Sequence, residues 1–360
     1  MVSDRIRWTP LVRTAVFCAG ALVLTLSACS GSPVKRNEPA GIPTPKPGRA
    51  VAFNLTAEHH AEQVANPFGQ LTADRSGNIY MAANTTVDGI ANIAGDIVRL
   101  SPDGAATSFA VPGLSDPSSS FPVAGMTTTP DGDLLIGRDK NIYRLSSNGR
   151  VKAVIETDVP HPNPLGVRAD GSIVVAHEGS LWSVANGKTS LLYKGDPDEA
   201  RGIATDRGAI RGVADSSGTV YAAVGRYLPD VVVIPQGQGP HRWGLSGNVP
   251  GTSVGLSSLT PVSLAQSQDG GVYVLAASDF TTGHSTGYVL HVRDGKVQLL
   301  LKAAFTGVSD SCSPGQEYSL DHIPCALPWY VVQSGSRVLL LGGHHGHLGS
   351  VPLAISSESQ

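Results

Sequence analysis

The sequence predicts an all-β fold: a six-bladed β-propeller of four-stranded antiparallel blades, with seven blades as the alternative count. The first observation is composition, because 42 glycines and 25 prolines among 360 residues indicate many turns. The second is a charged fraction of 15%, which is too low for long solvated helices. The third is a strand–turn–strand pattern that occurs six times after residue 50, as is typical of propellers.

Residues 1–28 are predicted to form a lipoprotein signal peptide. Arg5, Arg7 and Arg13 precede an apolar run over residues 14–28, which is the order of a secretory signal. The run is shorter than the about 20 residues that a membrane-spanning helix needs. The segment Leu26-Ser27-Ala28-Cys29 resembles the lipobox of bacterial lipoproteins, which implies cleavage before Cys29 and acylation of that cysteine. The alternative is an uncleaved anchor with an incidental cysteine.

Residues 29–49 are predicted to hold the acylated Cys29 and an extended tether, because this segment is rich in proline and has no apolar periodicity. Several acyl chains such as palmitate on one residue anchor a protein stably to a membrane. The expected location is therefore the outer side of the cell membrane, with residues 50–360 forming the propeller. The membrane is one expected partner, and an envelope protein or a small-molecule ligand is another.

Two cysteines remain for the folded part of an exported chain, since Cys18 lies in the apolar run and Cys29 is the acylation site. Cys312 and Cys325 flank a loop without a strand pattern, and an oxidising compartment favours a disulfide between them. Closing such a loop stabilises a fold by roughly 3 kcal/mol. A metal-binding pair is the alternative.

The repeating unit consists of an opening strand, a glycine turn and a second apolar strand. The six copies cover residues 68–83, 123–137, 165–176, 210–224, 262–277 and 329–343. Their turn glycines are Gly77, Gly132, Gly171, Gly218, Gly270 and Gly335. A second turn follows most copies, at Asp103-Gly104, Asn148-Gly149, Asn186-Gly187 and Asp294-Gly295, and two-residue hairpins select such pairs. Each unit therefore predicts two hairpins, or four antiparallel strands.

Prolines stand just before five of the six predicted opening strands, where a missing N–H costs no ladder hydrogen bond. They are Pro67, Pro122, Pro164, Pro261 and Pro328. The last unit supplies three strands, the third around residues 351–355. Residues 50–55 are predicted to add its fourth strand at the outer edge, which joins the two ends of the propeller and removes an open edge.

The first unit carries the residues of an NHL-type repeat, and these are Pro67-Phe68-Gly69, Asp74, Gly77-Asn78-Ile79-Tyr80, Asp96-Ile97-Val98-Arg99-Leu100 and Asp103-Gly104. Over residues 50–356 the chain resembles the six-bladed propellers of the NHL and SMP-30/gluconolactonase-like group. The resemblance implies the fold, while the group includes sensors, scaffolds, lactonases and lyases. The metal triad of SMP-30-like enzymes begins with a Glu where this chain has Asn66-Pro67-Phe68, so the triad is not carried over.

Propeller geometry places the loops between blades, and those between the second and third strands of a blade, on one face. This long-loop face is predicted to comprise residues 84–95, 112–122, 158–163, 195–209, 225–230, 247–260, 278–286, 306–327 and 344–350. Binding residues concentrate in long loops on a rigid scaffold. Nine of the 11 histidines are placed on this face, six of them within these ranges and His59, His60 and His177 in other connections. His161 and His177 are ligand-binding candidates, whereas His241 and His291 fall within predicted strands.

The densest histidine cluster is His344, His345 and His347, which suits Zn²⁺, Cu²⁺ or Ni²⁺. His284 or His322 would complete a set of ligands if the central channel brings them together. A divalent metal is therefore a candidate cofactor, and a solvated glycine-rich loop is the alternative. The segment 283–287 also matches the G-x-S-x-G pattern, but it joins two predicted strands rather than a strand and a helix, so no nucleophile is predicted there.

A net charge of -3 excludes the basic footprint of a nucleic-acid-binding protein. The functional hypotheses that remain follow from the predicted architecture. The favoured hypothesis is a membrane-anchored extracytoplasmic binding module that presents its long-loop face to a protein, glycan or small molecule. One alternative is a propeller enzyme of the lactonase, lyase or quinoprotein type at the channel mouth. Another is a structural partner within an envelope complex. Convergent carboxylates or histidines around a concave mouth would favour the enzyme.

Overall fold

The computed structural model describes residues 42–53, 71–82, 85–87, 90–92, 96–103, 105–111, 124–195, 211–278, 285–307, 312–328, 330–334, 337–341 and 353–356. Helical structure in these ranges consists of the short 3-10 turns Leu228–Asp230 and Leu256–Ser258. A helix of the length and hydropathy needed to cross a membrane does not occur among these residues. The predicted signal peptide and Cys29 lie outside the described residues.

The strands follow one another along the chain as a series of hairpins. Up to residue 195 they are β1 (Arg49–Ala52), β2 (Leu71–Ala73), β3 (Ile79–Ala82), β4 (Thr85–Val87), β5 (Ile90–Asn92), β6 (Asp96–Leu100), β7 (Ala106–Ala110), β8 (Gly125–Thr128), β9 (Leu134–Arg138), β10 (Asn141–Leu145), β11 (Val151–Glu156), β12 (Asn163–Val167), β13 (Ile173–His177), β14 (Ser180–Ala185) and β15 (Lys188–Tyr193). Beyond it they are β16 (Arg211–Ala214), β17 (Val220–Ala223), β18 (Val231–Ile234), β19 (His241–Arg242), β20 (Thr260–Gln266), β21 (Val272–Ser278), β22 (Ser285–Arg293), β23 (Lys296–Phe305), β24 (Glu317–Ser319), β25 (Tyr330–Ser334), β26 (Arg337–Leu341) and β27 (Leu353–Ser356).

Six antiparallel sheets form a ring, and each sheet is one blade of a β-propeller. Blades one to five have four strands each, in the orders β2-β3-β6-β7, β8-β9-β10-β11, β12-β13-β14-β15, β16-β17-β18-β19 and β20-β21-β22-β23. The first strand of each blade lies innermost, and the innermost strands of consecutive blades contact one another until β25 of blade six meets β2. A separate β4-β5 hairpin lies in the connection from β3 to β6. The prediction of six blades is confirmed, and seven blades are excluded.

The sixth blade is completed by the amino-terminal strand, as predicted. Strand β1 pairs with β27 in a register that places Ala50 opposite Ile355. A fifth strand that was not predicted follows, because β24 pairs with the other edge of β1 through Tyr318. This fifth strand comes from the loop that the predicted disulfide closes, and Cys312 and Cys325 are bonded in the structure with a Cα–Cα distance of 5.3 Å.

The buried apolar side chains of the described residues form six clusters, one between each pair of neighbouring blades. Successive side chains of a strand point to opposite faces of its sheet. In β9, Leu134 and Ile136 join the cluster shared with blade one, whereas Leu135 joins the cluster shared with blade three. Both faces of a blade are therefore buried, which explains why the chain carries so few charged residues.

The predicted glycine turns have the same geometry in five blades. The φ angles of Gly77, Gly132, Gly171, Gly218 and Gly270 are 79°, 81°, 80°, 81° and 100°. Each of these residues donates its N–H to the carbonyl three residues earlier, as Gly132 does to Thr129 at 2.9 Å. Glycine adopts positive φ without the strain that a side chain would add. These turns define the turn face of the propeller, opposite the long-loop face; Gly335 lies outside the described residues.

The second hairpins match the prediction in part. Asn186-Gly187 and Asp294-Gly295 are two-residue turns in which both residues have positive φ. Asn148-Gly149 belongs to a longer turn instead, because β10 and β11 separate after the pair Leu145–Val151 and only Gly149 has positive φ. The Asp103-Gly104 turn is described only in part, since residue 104 lies outside the described ranges.

The prolines of the opening strands match the prediction in part. Pro164 and Pro261 are the second residues of β12 and β20, so they stand inside the opening strands rather than just before them. Each is next to a β-bulge, and an innermost strand has no partner on its channel edge, so the missing N–H costs no ladder hydrogen bond. Pro328 precedes β25 as predicted, and Pro67 and Pro122 lie outside the described residues.

The packed part of the chain includes residues before position 50, where the tether was predicted to end. Ile42 is buried in the cluster between blades six and one, together with Leu339 and Leu341. Arg337 donates hydrogen bonds to the carbonyl oxygens of Ile42 and Pro102. The last part of the predicted tether therefore rests against the propeller.

Candidate ligand cavity in the central channel

The innermost strands surround a central channel that contains a cavity of about 170 Å³. An innermost strand has a hydrogen-bonded neighbour on one edge only, so its other edge presents backbone N–H and C=O groups to the channel. Strands β2, β8, β16, β20 and β25 line the cavity. A cavity of about 150 Å³ is large enough for benzene, so the space found here has room for a small organic molecule.

The side chains around the cavity are mainly apolar or uncharged. The apolar ones include Met126, Val213, Leu264, Ala265 and Val331, and the uncharged polar ones include Thr72, Thr127, Thr128, Ser263, Gln266 and Gln333. Thr127 donates a hydrogen bond to the carbonyl of Leu165 at 3.3 Å, and Thr128 donates to that of Ala73 at 2.9 Å. These two hydroxyls tie neighbouring blades together and are already engaged as donors.

Three polar side chains of the wall, those of Thr72, Ser216 and Gln266, make no hydrogen bond with any described residue. Ser263 differs, because its Oγ accepts the N–H of Val331 at 3.2 Å. A hydroxyl and a primary amide can each donate and accept hydrogen bonds. Thr72 and Gln266 stand on the innermost strands β2 and β20, whereas Ser216 is exposed in the turn after β16. Thr72 and Gln266 are therefore the candidates for contact with a ligand inside the channel.

The two charged residues of the cavity, Asp74 and Arg75, lie at its turn-face end. The buried carboxylate of Asp74 accepts hydrogen bonds from the N–H of Ser76 at 2.9 Å, the N–H and Nδ2 of Asn78 at 3.0 and 2.8 Å, and the hydroxyl of Tyr80 at 3.1 Å. Burial, followed by the negative charge of Asp74, raises the pKa of Tyr80, so this hydroxyl remains a donor. The charge of Asp74 is therefore satisfied within its own blade.

Arg75 is exposed and spans the channel at the turn face. Its Nη2 donates to the carbonyl of Ser216 at 3.2 Å, which joins blade one to blade four across the ring. Gln268 of blade five donates its Nε2 to the carbonyl of Arg75 at 3.3 Å, and the Oε1 of Gln333 accepts the N–H of Gln268 at 2.7 Å. These contacts link four blades, and a ligand that enters from the turn face would have to break them.

His161 and His177 lie near each other at the junction of blades two and three, and neither lines the cavity. His177 is the last residue of β13, so it belongs to a strand and not to a loop. Burial lowers the pKa of His177, Glu178 opposes that effect, and the nearby His161 adds to it. The two histidines are brought together on the long-loop face, and their role in ligand binding stays a prediction.

The predicted metal ligands are largely outside the described residues, since His284, His344, His345 and His347 all fall in undescribed segments. His322 is exposed, with its Nδ1 3.5 Å from Oγ1 of Thr306. Within the described part of the chain, no three His, Cys, Asp or Glu side chains are grouped so as to hold a metal ion. The histidine metal site therefore stays a prediction.

Arg138 is a buried charged residue that the sequence pattern did not single out. It ends β9 with 4% of its surface exposed, and its Nε lies 3.3 Å from Oδ2 of Asp139. Its Nη1 has no hydrogen-bond partner among the described residues. The alternation along β9 places this side chain at the junction with blade one, away from the cavity wall.

In the sequence, the position of a residue within the repeating unit could have indicated which residues line the cavity. The first strand of each unit is the innermost strand of its blade, so polar residues on those strands border the channel. Thr72 and Gln266 occupy such positions but carry no motif of their own. In the segment 283–287, Ser285 and Gly287 belong to strand β22, so the described part lies within a strand rather than in the predicted loop.

No family model matches the chain, and no curated protein matches it. Solved structures do match. An auxiliary nutrient-binding protein from Bacteroides ovatus superimposes with a TM-score of 0.52 at 11% identity, over 86% of this chain and 77% of that one. Regucalcin, a calcium-binding protein from Agrobacterium tumefaciens, has a TM-score of 0.46 at 14% identity, over 87% and 94%. A gluconolactonase from Xanthomonas campestris has a TM-score of 0.44 at 13% identity, over 88% and 98%. At these identities the likeness shows the β-propeller fold alone.

Proposed function

We propose that the protein is a lipid-anchored β-propeller on the outer side of the cell membrane that binds a small molecule in its central channel. The observation that carries the binding function is the cavity of about 170 Å³, with the available side chains of Thr72 and Gln266 in its wall. Ligand sites are concave and combine apolar surface with polar groups that fix the orientation of the ligand. The description of the Bacteroides ovatus protein as nutrient-binding agrees with this proposal.

The described geometry favours binding over acid–base catalysis. The described wall holds no histidine, and Asp74 is its carboxylate. A general base needs a lone pair that can reach the proton of a substrate, whereas both oxygens of Asp74 accept hydrogen bonds from its own turn and from Tyr80. Asp74 is therefore not positioned to act as a general base.

The bound molecule can be sought directly. We expect protein isolated from its native membrane to release a small molecule on denaturation, detected by mass spectrometry. Thr72→Phe fills the cavity and should abolish this release, whereas Thr107→Phe is the matched control because Thr107 is exposed on the outer strand β7. Thermal melting verifies that both variants fold. Equal release from wild type and Thr72→Phe, or no release at all, argues against binding in the channel.

The anchoring part rests on the lipobox and is supported by the Cys312–Cys325 disulfide, which is expected in an oxidising compartment. Metabolic labelling with an alkyne-tagged palmitate should mark the wild-type protein in the membrane fraction. Cys29→Ala should remove both the label and the membrane association. Persistence of the label in this variant would refute acylation at Cys29.

A further inference from the structure

We propose that the molecule held in the central cavity is uncharged and combines an apolar surface with hydroxyl or amide groups. This inference rests on the proposed binding function and adds the chemical class of the ligand. It comes from the charges, the free hydrogen-bonding groups and the apolar surface of the cavity wall.

The charged residues of the described wall, Asp74 and Arg75, have opposite signs and lie at its turn-face end, so the wall carries no net charge. The carboxylate of Asp74 is engaged by Asn78, Tyr80 and its own turn, and the guanidinium of Arg75 is exposed and donates to Ser216. An ion that leaves water for an enclosed site loses its hydration, and it binds only if an opposite charge compensates that loss. The described wall therefore disfavours both anions and cations.

The polar groups that remain suit a neutral partner. Thr72 and Gln266 can each donate and accept, and so can the free backbone edges of the innermost strands. A hydroxyl or an amide group of the ligand can therefore pair with these wall groups both as a hydrogen-bond donor and as an acceptor. An uncharged ligand also places no charge next to the side chains of Asp74 and Arg75.

The wall also contains apolar side chains. Met126, Leu264 and Val331 line the cavity and are between 1% and 8% exposed. The part of their surface that reaches the cavity is more favourably covered by an apolar group than by water. The ligand is therefore expected to present carbon to these residues and its polar groups to Thr72 and Gln266.

Matched fragments test the charge preference in the acylated full-length protein, held in detergent micelles. Benzamide, benzoate and benzamidine have nearly the same shape and are neutral, anionic and cationic, and several such triplets with aromatic or aliphatic frames form the panel. Binding is measured by ligand-observed NMR. The expected result is that neutral members of the panel bind and compete with one another, with their charged counterparts at least about tenfold weaker because of the uncompensated charge.

Substitutions in the cavity wall test whether the fragments bind inside the cavity. Thr72→Phe should abolish the binding of neutral fragments, and Thr72→Val and Gln266→Leu should each weaken it by about threefold to tenfold, the effect of losing one hydrogen bond. Thr107→Val, on an exposed outer strand, is the control and should leave binding unchanged. Thermal melting of each variant separates loss of binding from loss of folding.

Each outcome decides the proposal. Charged members that bind as well as their neutral counterparts, with sensitivity to Thr72→Phe, would overturn the ligand class and leave the binding function in place. The same holds if the molecule released from native protein is an ion. A panel in which no neutral fragment is sensitive to Thr72→Phe overturns the ligand class, and if native protein also releases no molecule, the binding function fails with it.

Discussion

At the scale of single residues, Gly137 shows how closely blades two and three are packed. A Cβ built on this residue would overlap the carbonyl oxygen of Pro162 and lie 2.8 Å from its carbonyl carbon, and these backbone atoms cannot rotate away. Gly137→Ala should therefore lower the free energy of unfolding by about 2 kcal/mol or more, because the blades must separate. Gly255→Ala is the control, since Gly255 has a φ of −70° and the nearest contact of its Cβ would be Ser257 at 3.6 Å. Equal urea midpoints for the two variants would contradict the close approach.

Two tyrosines perform the same structural role at different depths. Tyr80 donates to the carboxylate of Asp74 at 3.1 Å in a buried setting, and Tyr221 donates to that of Asp215 at 3.3 Å in a partly buried one. Tyr80→Phe is expected to cost about 1 to 2 kcal/mol of stability, because a buried carboxylate loses a donor. Tyr221→Phe should cost less, since water can replace the lost bond. Urea denaturation checks the order, and a larger loss for Tyr221→Phe would be inconsistent with it.

His177 gives the propeller a component of acid sensitivity. Burial lowers the pKa of His177 below its ordinary value of 6.5, with His161 adding to the effect against the opposing charge of Glu178. The unfolded chain therefore binds the proton more readily, so this contribution to stability is present above pH 6.5 and is lost as the pH falls through the folded-state pKa. In His177→Gln the fall in melting temperature between about pH 7 and pH 5 should be smaller than in wild type. Parallel melting curves for the two proteins over that range would exclude this role.

At the scale of secondary-structure elements, β24 depends on the disulfide beside it. The loop closed by Cys312 and Cys325 carries β24, and Ala52 donates its N–H to the carbonyl of Gln316 at 2.9 Å. The double variant Cys312→Ser/Cys325→Ser should lose roughly 3 kcal/mol of stability through loop-closure entropy. Amide exchange in β1 should also accelerate, because its outer partner is held less firmly.

Reduction of the wild-type disulfide provides a matched control for that double variant. Chemical reduction should bring the wild-type protein to the stability of the variant without any change in sequence. The variant itself should not respond to the reductant. Unchanged exchange of the β1 amides after reduction would show that β24 stays paired without the disulfide.

Elements with a local signal were predictable, and the others were not. The glycine turns and the six units follow from residues close in sequence, because a positive φ selects Gly at each turn. Strand β24 has three residues, Glu317–Ser319, and becomes a strand only because the free edge of β1 lies beside it. Pairing of this kind depends on tertiary contacts, which no local pattern records. The same reason hides Thr72 and Gln266, whose place in the channel appears only once six blades form a ring.

At the scale of the whole molecule, closure makes the propeller a continuous assembly. Each blade shares one apolar cluster with the blade before it and another with the blade after it. The contacts of Arg75 with Ser216 and Gln268 add a connection across the channel. A closed ring in which every blade is held from both sides is expected to unfold as one cooperative unit, and the cavity exists only in that state.

Strand β1 is therefore the element on which whole-molecule cooperativity should depend most. It pairs with β27 on one edge and β24 on the other, so deletion of residues 50–56 leaves blade six without its fourth strand and exposes the edges of both neighbours. We expect this deletion to replace the single sharp urea transition with a broad one and to abolish fragment binding. Deletion of residues 31–37, an equally long part of the proline-rich segment, is the control and should leave both properties intact. If the variant without residues 50–56 keeps a sharp transition, the ring does not need β1 for its cooperativity.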